Sequence, residues 1–310
     1  MTRLVLVTGA TGFVGRPLIK HLADAGDEVV AVSRTGERID GATRSLAHTD
    51  IVSPLPAEVL AGVDAVVHLA GIAHRGRAAD PSEYDRVNNL GTVAVAEAAI
   101  EAGVATFVFL STSKVHGAVS RSPFRAGDPF DPPDAYSAAK AAAETTLQGM
   151  TDRMRVVSLR PPVIYGPNPK ANVRLLASLA GRGLPLPAGD RTARRSMVHI
   201  DNLCSAVLRV IEKTDGPSGG YVLADGPAIT TPDLYRRLCK SFGTTARFVP
   251  LNGPMLRIAD RVIAPLLGRQ PFEPLYSNFE VDGSAFTQDY GWTPAGDFDT
   301  AIEDVVASLR

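Results

Sequence analysis

Cysteine is nearly missing from these 310 residues, with only Cys204 and Cys239. Two isolated thiols cannot build a disulfide framework or a zinc ligand set, so both read as core thiols in a reducing cytoplasm. An excess of one charge sign is missing too: 32 Lys and Arg stand against 33 Asp and Glu, a formal net charge of -1. There is no basic field to gather nucleic acid, and none to hold the chain on an anionic membrane. Apolar residues make up 45% of the chain but in interrupted runs, none reaching the roughly 18 residues that would span a bilayer. The amino terminus reads as a strand rather than a signal peptide. His21, His48 and His74 have no companions of the metal-ligating kind, so no metal site is expected. Low-complexity tracts and internal repeats are also lacking.

What is present begins with the apolar run Leu4-Val5-Leu6-Val7, followed directly by Thr8-Gly9-Ala10-Thr11-Gly12-Phe13-Val14-Gly15. The run reads as a buried strand, and apolar residues from Phe13 to Ala25 recur at helical spacing, so the glycines lie in a strand-to-helix turn. Gly9 permits the tight turn, Gly12 lets a phosphate approach bare backbone, and Gly15 lets the helix pack closely on the strand. Backbone amides at the helix start then face an anion, which makes Gly9, Thr11, Gly12, Phe13, Val14 and Gly15 candidates for binding a dinucleotide pyrophosphate.

Strand and helix patterns alternate through the first half. Glu28 to Ser33, Arg44 to His48, Ala65 to Leu69, Thr106 to Ser111 and Arg155 to Arg160 read as strands, with helices over Ser82 to Ala102 and Ala135 to Met150. Parallel neighbours need crossover helices, so this alternation predicts an α/β fold of the Rossmann type, with a doubly wound parallel sheet. Beyond Pro161 prolines break the regularity. Residues 1–165 are expected to form the dinucleotide-binding domain and 166–310 a smaller C-terminal α/β substrate-binding domain. Strands near 197–200 and 221–224 are candidates to rejoin the large sheet, and helices are expected over Thr231 to Phe242, Met255 to Leu267 and Asp299 to Leu309.

The tip of the second strand bears on the choice of dinucleotide. It ends Val32-Ser33-Arg34, without the carboxylate that usually receives the ribose hydroxyls of NAD. Ser33 and Arg34 are therefore cofactor candidates, and an arginine able to pair with a 2′-phosphate tilts the choice between NAD and NADP towards NADP. Asp50 and Ile51, after the third strand, are placed to meet the adenine edge and face.

Tyr136-Ser137-Ala138-Ala139-Lys140 puts a phenol and an ammonium four residues apart on one helix face. A free phenol titrates near about 10, and bringing it to neutrality takes roughly three pH units, about 4 kcal/mol. One positive charge at about 4 Å supplies about that much at an effective dielectric near 20, so lysine plus an oxidised nicotinamide ring can supply the shift. Such a pair is also common on helix surfaces. Here Ser111-Thr112-Ser113-Lys114-Val115-His116-Gly117 adds a hydroxyl at a strand's carboxyl end, able to meet the same substrate oxygen.

Together these segments resemble the extended short-chain dehydrogenase/reductase superfamily, in its NAD-dependent epimerase/dehydratase branch. The likeness covers nearly the whole chain: Gly9 to Gly15, His68-Leu69-Ala70-Gly71, Val87 to Thr92, Ser111 to Gly117, the Tyr136 and Lys140 pair, Arg160 to Pro167 and Arg195 to Asn202. The resemblance implies Thr112 orienting the substrate, Tyr136 as acid/base with Lys140 its partner, and Asn88 as a strut. It also implies cofactor contacts from Leu69, Ala70, Gly71 and Pro162, and a nucleotide-sugar ligand held by Thr112, Ser113, Asn172 and Arg195, a UDP-sugar foremost. A homodimer through the helices at Ser82 to Ala102 and Ala135 to Met150 follows from the family.

Two departures narrow the chemistry. The family's sugar 4,6-dehydratases place an acidic pair after the hydroxyl residue, whereas Ser113 and Lys114 follow Thr112 here. Elimination then lacks its acid and base. His116 stands where the family often has tyrosine, with a sugar contact or a local loop contact open to it. Three readings remain: an epimerase that retains its cofactor, a 4-keto nucleotide-sugar reductase that consumes it, and a protein that only senses dinucleotide. The three candidate chemical groups argue against the last.

Overall fold

Short, almost wholly buried strands set between helices with one apolar face leave the chain one economical arrangement, a sheet with helices on both sides. The computed structural model describes residues 2–73, 80–188, 192–250, 255 and 276–310. In chain order the first half carries β1 (Leu4–Thr8), α1 (Gly15–Asp24), β2 (Glu28–Ser33), β3 (Arg44–Ala47), α2 (Ala57–Leu60), β4 (Ala65–His68), α3 (Pro81–Tyr84), α4 (Gly91–Glu101), β5 (Thr106–Leu110), α5 (Ala135–Gln148) and β6 (Arg155–Arg160). The second half carries β7 (Val163–Tyr165), α6 (Ala171–Gly181), β8 (Leu186–Ala188), β9 (Arg194–Arg195), β10 (Met197–His199), α7 (Ile200–Glu212) and β11 (Gly219–Val222). After these come β12 (Ile229–Thr230), α8 (Thr231–Phe242), β13 (Phe248–Pro250), α9 (Ser284–Tyr290) and α10 (Phe298–Ala307).

Seven strands form the central sheet, in the order β11-β6-β5-β4-β1-β2-β3, with every neighbouring pair parallel. The chain winds outward from β1 to β3, then crosses back to β4 and winds the other way. The order therefore reverses between β1 and β4, the switch point outside whose carboxyl ends a doubly wound sheet has its ligand crevice. Alternate residues of β1 feed the two layers of core. Val5 and Val7 pack with Leu18, Ile19 and Leu203 on one face, while Leu6 packs with Val30, Phe107, Phe109 and Leu147 on the other. Burying each such side chain contributes about 1.5–3 kcal/mol, an upper figure because the unfolded chain is already partly collapsed.

A separate apolar cluster lies beyond the sheet, built from Leu175 and Leu176 of α6, Leu234, Tyr235 and Leu238 of α8, and Ile302, Val305 and Val306 of α10. Of the two strands expected near 197–200 and 221–224, the second joins the sheet as β11 on β6. The first does not: Met197–His199 pairs with Val163–Tyr165 in a two-stranded ribbon of its own. The helix expected over Ser82 to Ala102 forms as α3 and α4 joined by a π-turn at Asp85–Leu90. Apolar periodicity cannot register the single extra residue that a π-turn absorbs. The helix expected over Met255 to Leu267 lies outside the described residues except for Met255, as do His74 and Arg191.

Candidate active site

The glycine turn stands at the reversal point. Gly9 takes φ +68°, and a Cβ there would come within 2.6 Å of the Ala70 amide nitrogen. Both the left-handed backbone and the contact require glycine. A Cβ on Gly15 would lie 2.4 Å from the Gly9 carbonyl oxygen, so helix and turn meet only because both side chains are missing. Gly12 closes the turn with its amide on the Gly9 carbonyl at 2.9 Å. Thr11 and Gly12 are exposed and Phe13 is half-buried, while Val14 and Gly15 sit beneath them. This is a cradle of backbone that a side chain would fill, as a pyrophosphate seat requires. Leu69, Ala70 and Gly71, at the end of β4, form its other wall.

At the adenosine end the candidates are arranged differently from one another. Arg34 is exposed at the tip of β2, whereas the buried Ser33 hydroxyl accepts the Gly36 amide at 3.0 Å and holds the loop. Asp50 is half-exposed and receives Arg86 at 2.6 Å on Oδ1. Ile51 packs against the start of α4, where a Cβ on Gly91 would stand 2.6 Å from its Cγ2.

Thr112, Tyr136 and Lys140 converge beside this crevice. Helix α5 starts at a capping box: Asp134 Oδ1 accepts the Ser137 amide at 2.8 Å, and Ser137 Oγ in turn accepts the Asp134 amide at 3.3 Å. The cap places Tyr136 in the first turn, where the Thr112 hydroxyl lies near enough to its phenol to favour the ionised form. Thr112 Oγ1 accepts the Lys114 amide at 3.3 Å, which leaves its own proton to donate to the phenol oxygen. One turn on, Lys140 is 4% exposed. Its Nζ donates to the Leu110 carbonyl at 2.9 Å and stands 4.4 Å from the centre of the Phe109 ring. The same Nζ would be 3.4 Å from a Cβ on Gly71, so the ammonium reaches the crevice wall.

Burial drives these two groups apart. Desolvation, with the Asp134 carboxylate adding to it, pushes the Tyr136 phenol up to about 12 against the help of Thr112. Desolvation pulls Lys140 down to about 7, opposed by the Glu144 carboxylate. The phenol is thus not lowered by its surroundings in the chain alone. A positive charge brought beside it from outside the chain would favour the phenolate, as the reading of lysine plus an oxidised nicotinamide ring expects.

Asn88 lies fully buried in the π-turn and clamps the loop after β4 from both sides: Oδ1 accepts the Ile72 amide at 2.8 Å and Nδ2 donates to its carbonyl at 2.9 Å. Beneath it His68 bridges Thr8 at 2.9 Å and Thr92 at 3.2 Å. Burial, with the nearby Lys140, lowers that ring to about 3 and keeps it neutral.

Ser113 is not brought to the crevice. It is fully buried, and its hydroxyl donates to the Arg160 carbonyl at 2.7 Å. The short 3₁₀ turn over Ser113–His116 rotates it inward and leaves Lys114 outward, where its Nζ meets Asp134 at 2.6 Å. Pro162 is half-buried between β6 and β7. Asn172 and Arg195 are brought together at a cavity of about 30 Å³, with Val163, Leu176 and Leu234. Arg195 donates to the Ser277 carbonyl at 3.0 Å and lies 5.4 Å from the Phe279 ring, and burial lowers its guanidinium to about 10. A larger groove of about 640 Å³ runs between α7, α8 and α10 past Arg194, Arg195 and Asp225, touching none of Thr112, Tyr136 or Lys140.

His116 makes the local loop contact. Its Nδ1 lies 3.2 Å from the Pro129 carbonyl and its Nε2 3.2 Å from Arg160 Nη1. Arg160 also grips Glu144, with Nε at 2.9 Å and Nη2 at 2.8 Å from Oε2. This buried pair escaped the reading of the sequence. Its one signal was a carboxylate four residues after Lys140 in an alanine-rich helix.

The sequence profile of the NAD dependent epimerase/dehydratase family matches residues 5–224. The chain is 32% identical over 309 residues to a UDP-glucose 4-epimerase of Vibrio cholerae, covering 95% of this chain and 92% of that enzyme. It is 28% identical to a dTDP-glucose 4,6-dehydratase of Streptomyces antibioticus, covering 99% and 92%. Among solved structures, MoeE5 in complex with UDP-glucose and NAD superposes with a TM-score of 0.80 at 24% identity over 98% of each chain. A UDP-N-acetylglucosamine 4-epimerase from Bacillus cereus gives 0.79 at 20% identity, over 99% and 96%. These structural likenesses establish the Rossmann-type fold. With the glycine turn at the sheet's reversal point and the profile over most of its length, this chain belongs to the NAD dependent epimerase/dehydratase family, within the extended short-chain dehydrogenases/reductases.

Proposed function

We propose that the protein is a nucleotide-sugar 4-epimerase, with a UDP-sugar as substrate and Thr112, Tyr136 and Lys140 as its catalytic residues. The observation that carries this reading is the meeting of a threonine hydroxyl, a phenol and a buried ammonium at the crevice where the sheet order reverses. The turn from Gly9 to Gly15 would hold the dinucleotide, which would take the hydride from C4, give it back to the other face, and when oxidised add a positive charge beside the phenol. Tyr136 removes the proton of the sugar 4-hydroxyl, Thr112 holds the same oxygen, and Lys140 stabilises the phenolate through its charge. Tyr136 returns that proton to the oxygen as the hydride returns to C4 from the opposite face. NAD is the dinucleotide of the family's description, and exposed Arg34, in a loop without a carboxylate at the tip of β2, leaves room for the 2′-phosphate of NADP. In this reading the unit of α6, α8 and α10 receives the nucleotide, with Arg195 on the diphosphate and Asn172 beside it. The protein works as a cytoplasmic homodimer, checked by its mass in solution.

A second reading, a 4-keto nucleotide-sugar reductase, has one feature in its favour, the likeness of the Lys114-Val115 segment to such reductases; Lys114 is turned outward here and held by Asp134. Incubation with UDP-, GDP- and dTDP-sugars, with and without NADH or NADPH, separates the two. Stereochemical scrambling at C4 without net cofactor loss is the epimerase result, and stoichiometric oxidation with a ketosugar is the reductase result. Tyr136→Phe is expected to lower turnover by about 10²–10⁴ while dinucleotide binding persists. An unchanged rate would remove Tyr136 from the chemistry.

A further inference from the structure

We infer that the buried Glu144–Arg160 ion pair is a positioning device for the catalytic site, locking α5 to the carboxyl ends of β5 and β6 so that Tyr136 meets Thr112. The inference rests on the catalytic reading above and goes beyond it to residues that touch neither sugar nor dinucleotide.

Glu144 is 1% and Arg160 2% exposed. Glu144 follows Tyr136 by eight residues and Lys140 by four, so all three share one face of α5. The carboxylate receives Arg160 on both oxygens, Nε at 3.1 Å from Oε1 and at 2.9 Å from Oε2, and also takes the Ser111 hydroxyl. Arg160 Nη1 donates to the Ala126 carbonyl at 2.7 Å, and its guanidinium lies 5.0 Å from the Phe130 ring. Ser111 and Ser113, the two neighbours of Thr112, are both held by this pair of residues, one on the Glu144 carboxylate and one on the Arg160 backbone. Every segment that carries a catalytic group is therefore pinned to one point.

The fold makes room for it. A Cβ on Gly220 of β11 would fall 2.1 Å from Arg160 Nη2, so the guanidinium fills space that any other residue at 220 would occupy. Burying such a pair adds little stability, because removing both charges from water offsets their attraction; apolar replacements of similar volume are often as stable or more so. Its place in the molecule is then explained by geometry rather than by stability. The carboxylate also lies near enough to oppose the desolvation of Lys140. Among the described residues, the other titratable group that interacts with this ammonium is His68 on β4.

The test compares wild type, E144Q and the apolar pair E144M/R160M in the dinucleotide-bound protein. Three quantities are read: thermal midpoint, kcat and KM with UDP-glucose, and the titration of the Lys140 side chain followed by its ¹³Cε resonance. The double variant is expected to melt within a few degrees of wild type yet lose about tenfold or more in kcat, with KM changed less than about twofold. In E144Q the Lys140 titration should move to lower pH, by about half a unit or more. A double variant with wild-type kcat, or a Lys140 titration unmoved in E144Q, overturns the inference. If the double variant does not fold, E144Q decides by the same two readings. If wild type itself turns over no UDP-sugar, the catalytic reading fails alone, and the Lys140 titration still judges the pairing.

Discussion

Lys140 shows how a single residue can be held against its own preference. Its ammonium is 4% exposed, with a ring on one side and a carbonyl on the other, and desolvation lowers it to about 7. A lysine whose folded pKa lies below its unfolded value binds fewer protons in the fold. Stability is therefore withheld at neutral and acid pH and recovered as pH rises above about 7. Lys140→Met should accordingly raise the stability of the protein at pH 6 by about 1–3 kcal/mol while abolishing turnover, seen as a higher denaturation midpoint in an inactive enzyme. A destabilised variant would mean that the ammonium is better satisfied than its burial implies. Gly9 is the opposite case, a residue chosen for what it lacks. Gly9→Ala adds a Cβ 2.6 Å from the Ala70 nitrogen at a positive φ. Dinucleotide affinity is expected to fall by at least about tenfold, measured by calorimetric titration, because the turn must open to admit the methyl group. Both residues were legible from spacing and motif alone. Glu144 and Arg160 were not, since they lie sixteen positions apart and only the sheet brings them together.

The same distinction holds for elements. Strands β1 to β6 were legible because each is a short apolar run closed by turn residues, and parallel strands in a covered sheet leave no other pattern. The long helix before β5 was legible as a helix but not as α3, a π-turn and α4, although it is the π-turn that carries Asn88. Helix α5 depends on its cap. Asp134→Ala should cost about 1 kcal/mol of stability, measurable by urea denaturation. It also removes a carboxylate that raises the Tyr136 phenol and frees Lys114, so the acid limb of the kcat profile should move to lower pH. A limb that moves upward or stays in place would show that Asp134 does not act on the phenol.

Across the whole molecule, two of the buried histidines, His68 and His116, make folding sensitive to acid. His68 is lowered to about 3 by burial, and His116 is lowered by burial and by the Arg160 guanidinium beside it. His68 is neutral in the fold and takes up a proton near about 6.5 when unfolded, so its contribution is present above that pH and lost as pH falls; the lowering of His116 acts in the same direction. From pH 6.5 to 5 the His68 contribution alone amounts to about 2 kcal/mol. Denaturation free energies at pH 7 and pH 5 should differ by at least this much in wild type, and the difference should shrink in His68→Gln. An equal slope in both proteins would place the acid sensitivity elsewhere. The alternation of strand and helix, and with it the doubly wound sheet, was legible over the first half of the chain. Beyond β6 the pattern thinned, and Met197–His199 left the sheet to pair with β7. A three-residue strand carries too few alternating positions to announce its partner.

By itself the sequence determined the elements of the nucleotide fold, the glycine turn and the identities of the hydroxyl, phenol and ammonium, because periodicity and steric need are local and can be read within a dozen residues. Only the tertiary structure decided that Ser113 turns inward, that burial sets phenol and lysine apart, and that Glu144 joins Arg160 beneath them. Desolvation and contact belong to neighbours in space, and those neighbours are chosen by the packing of the whole chain.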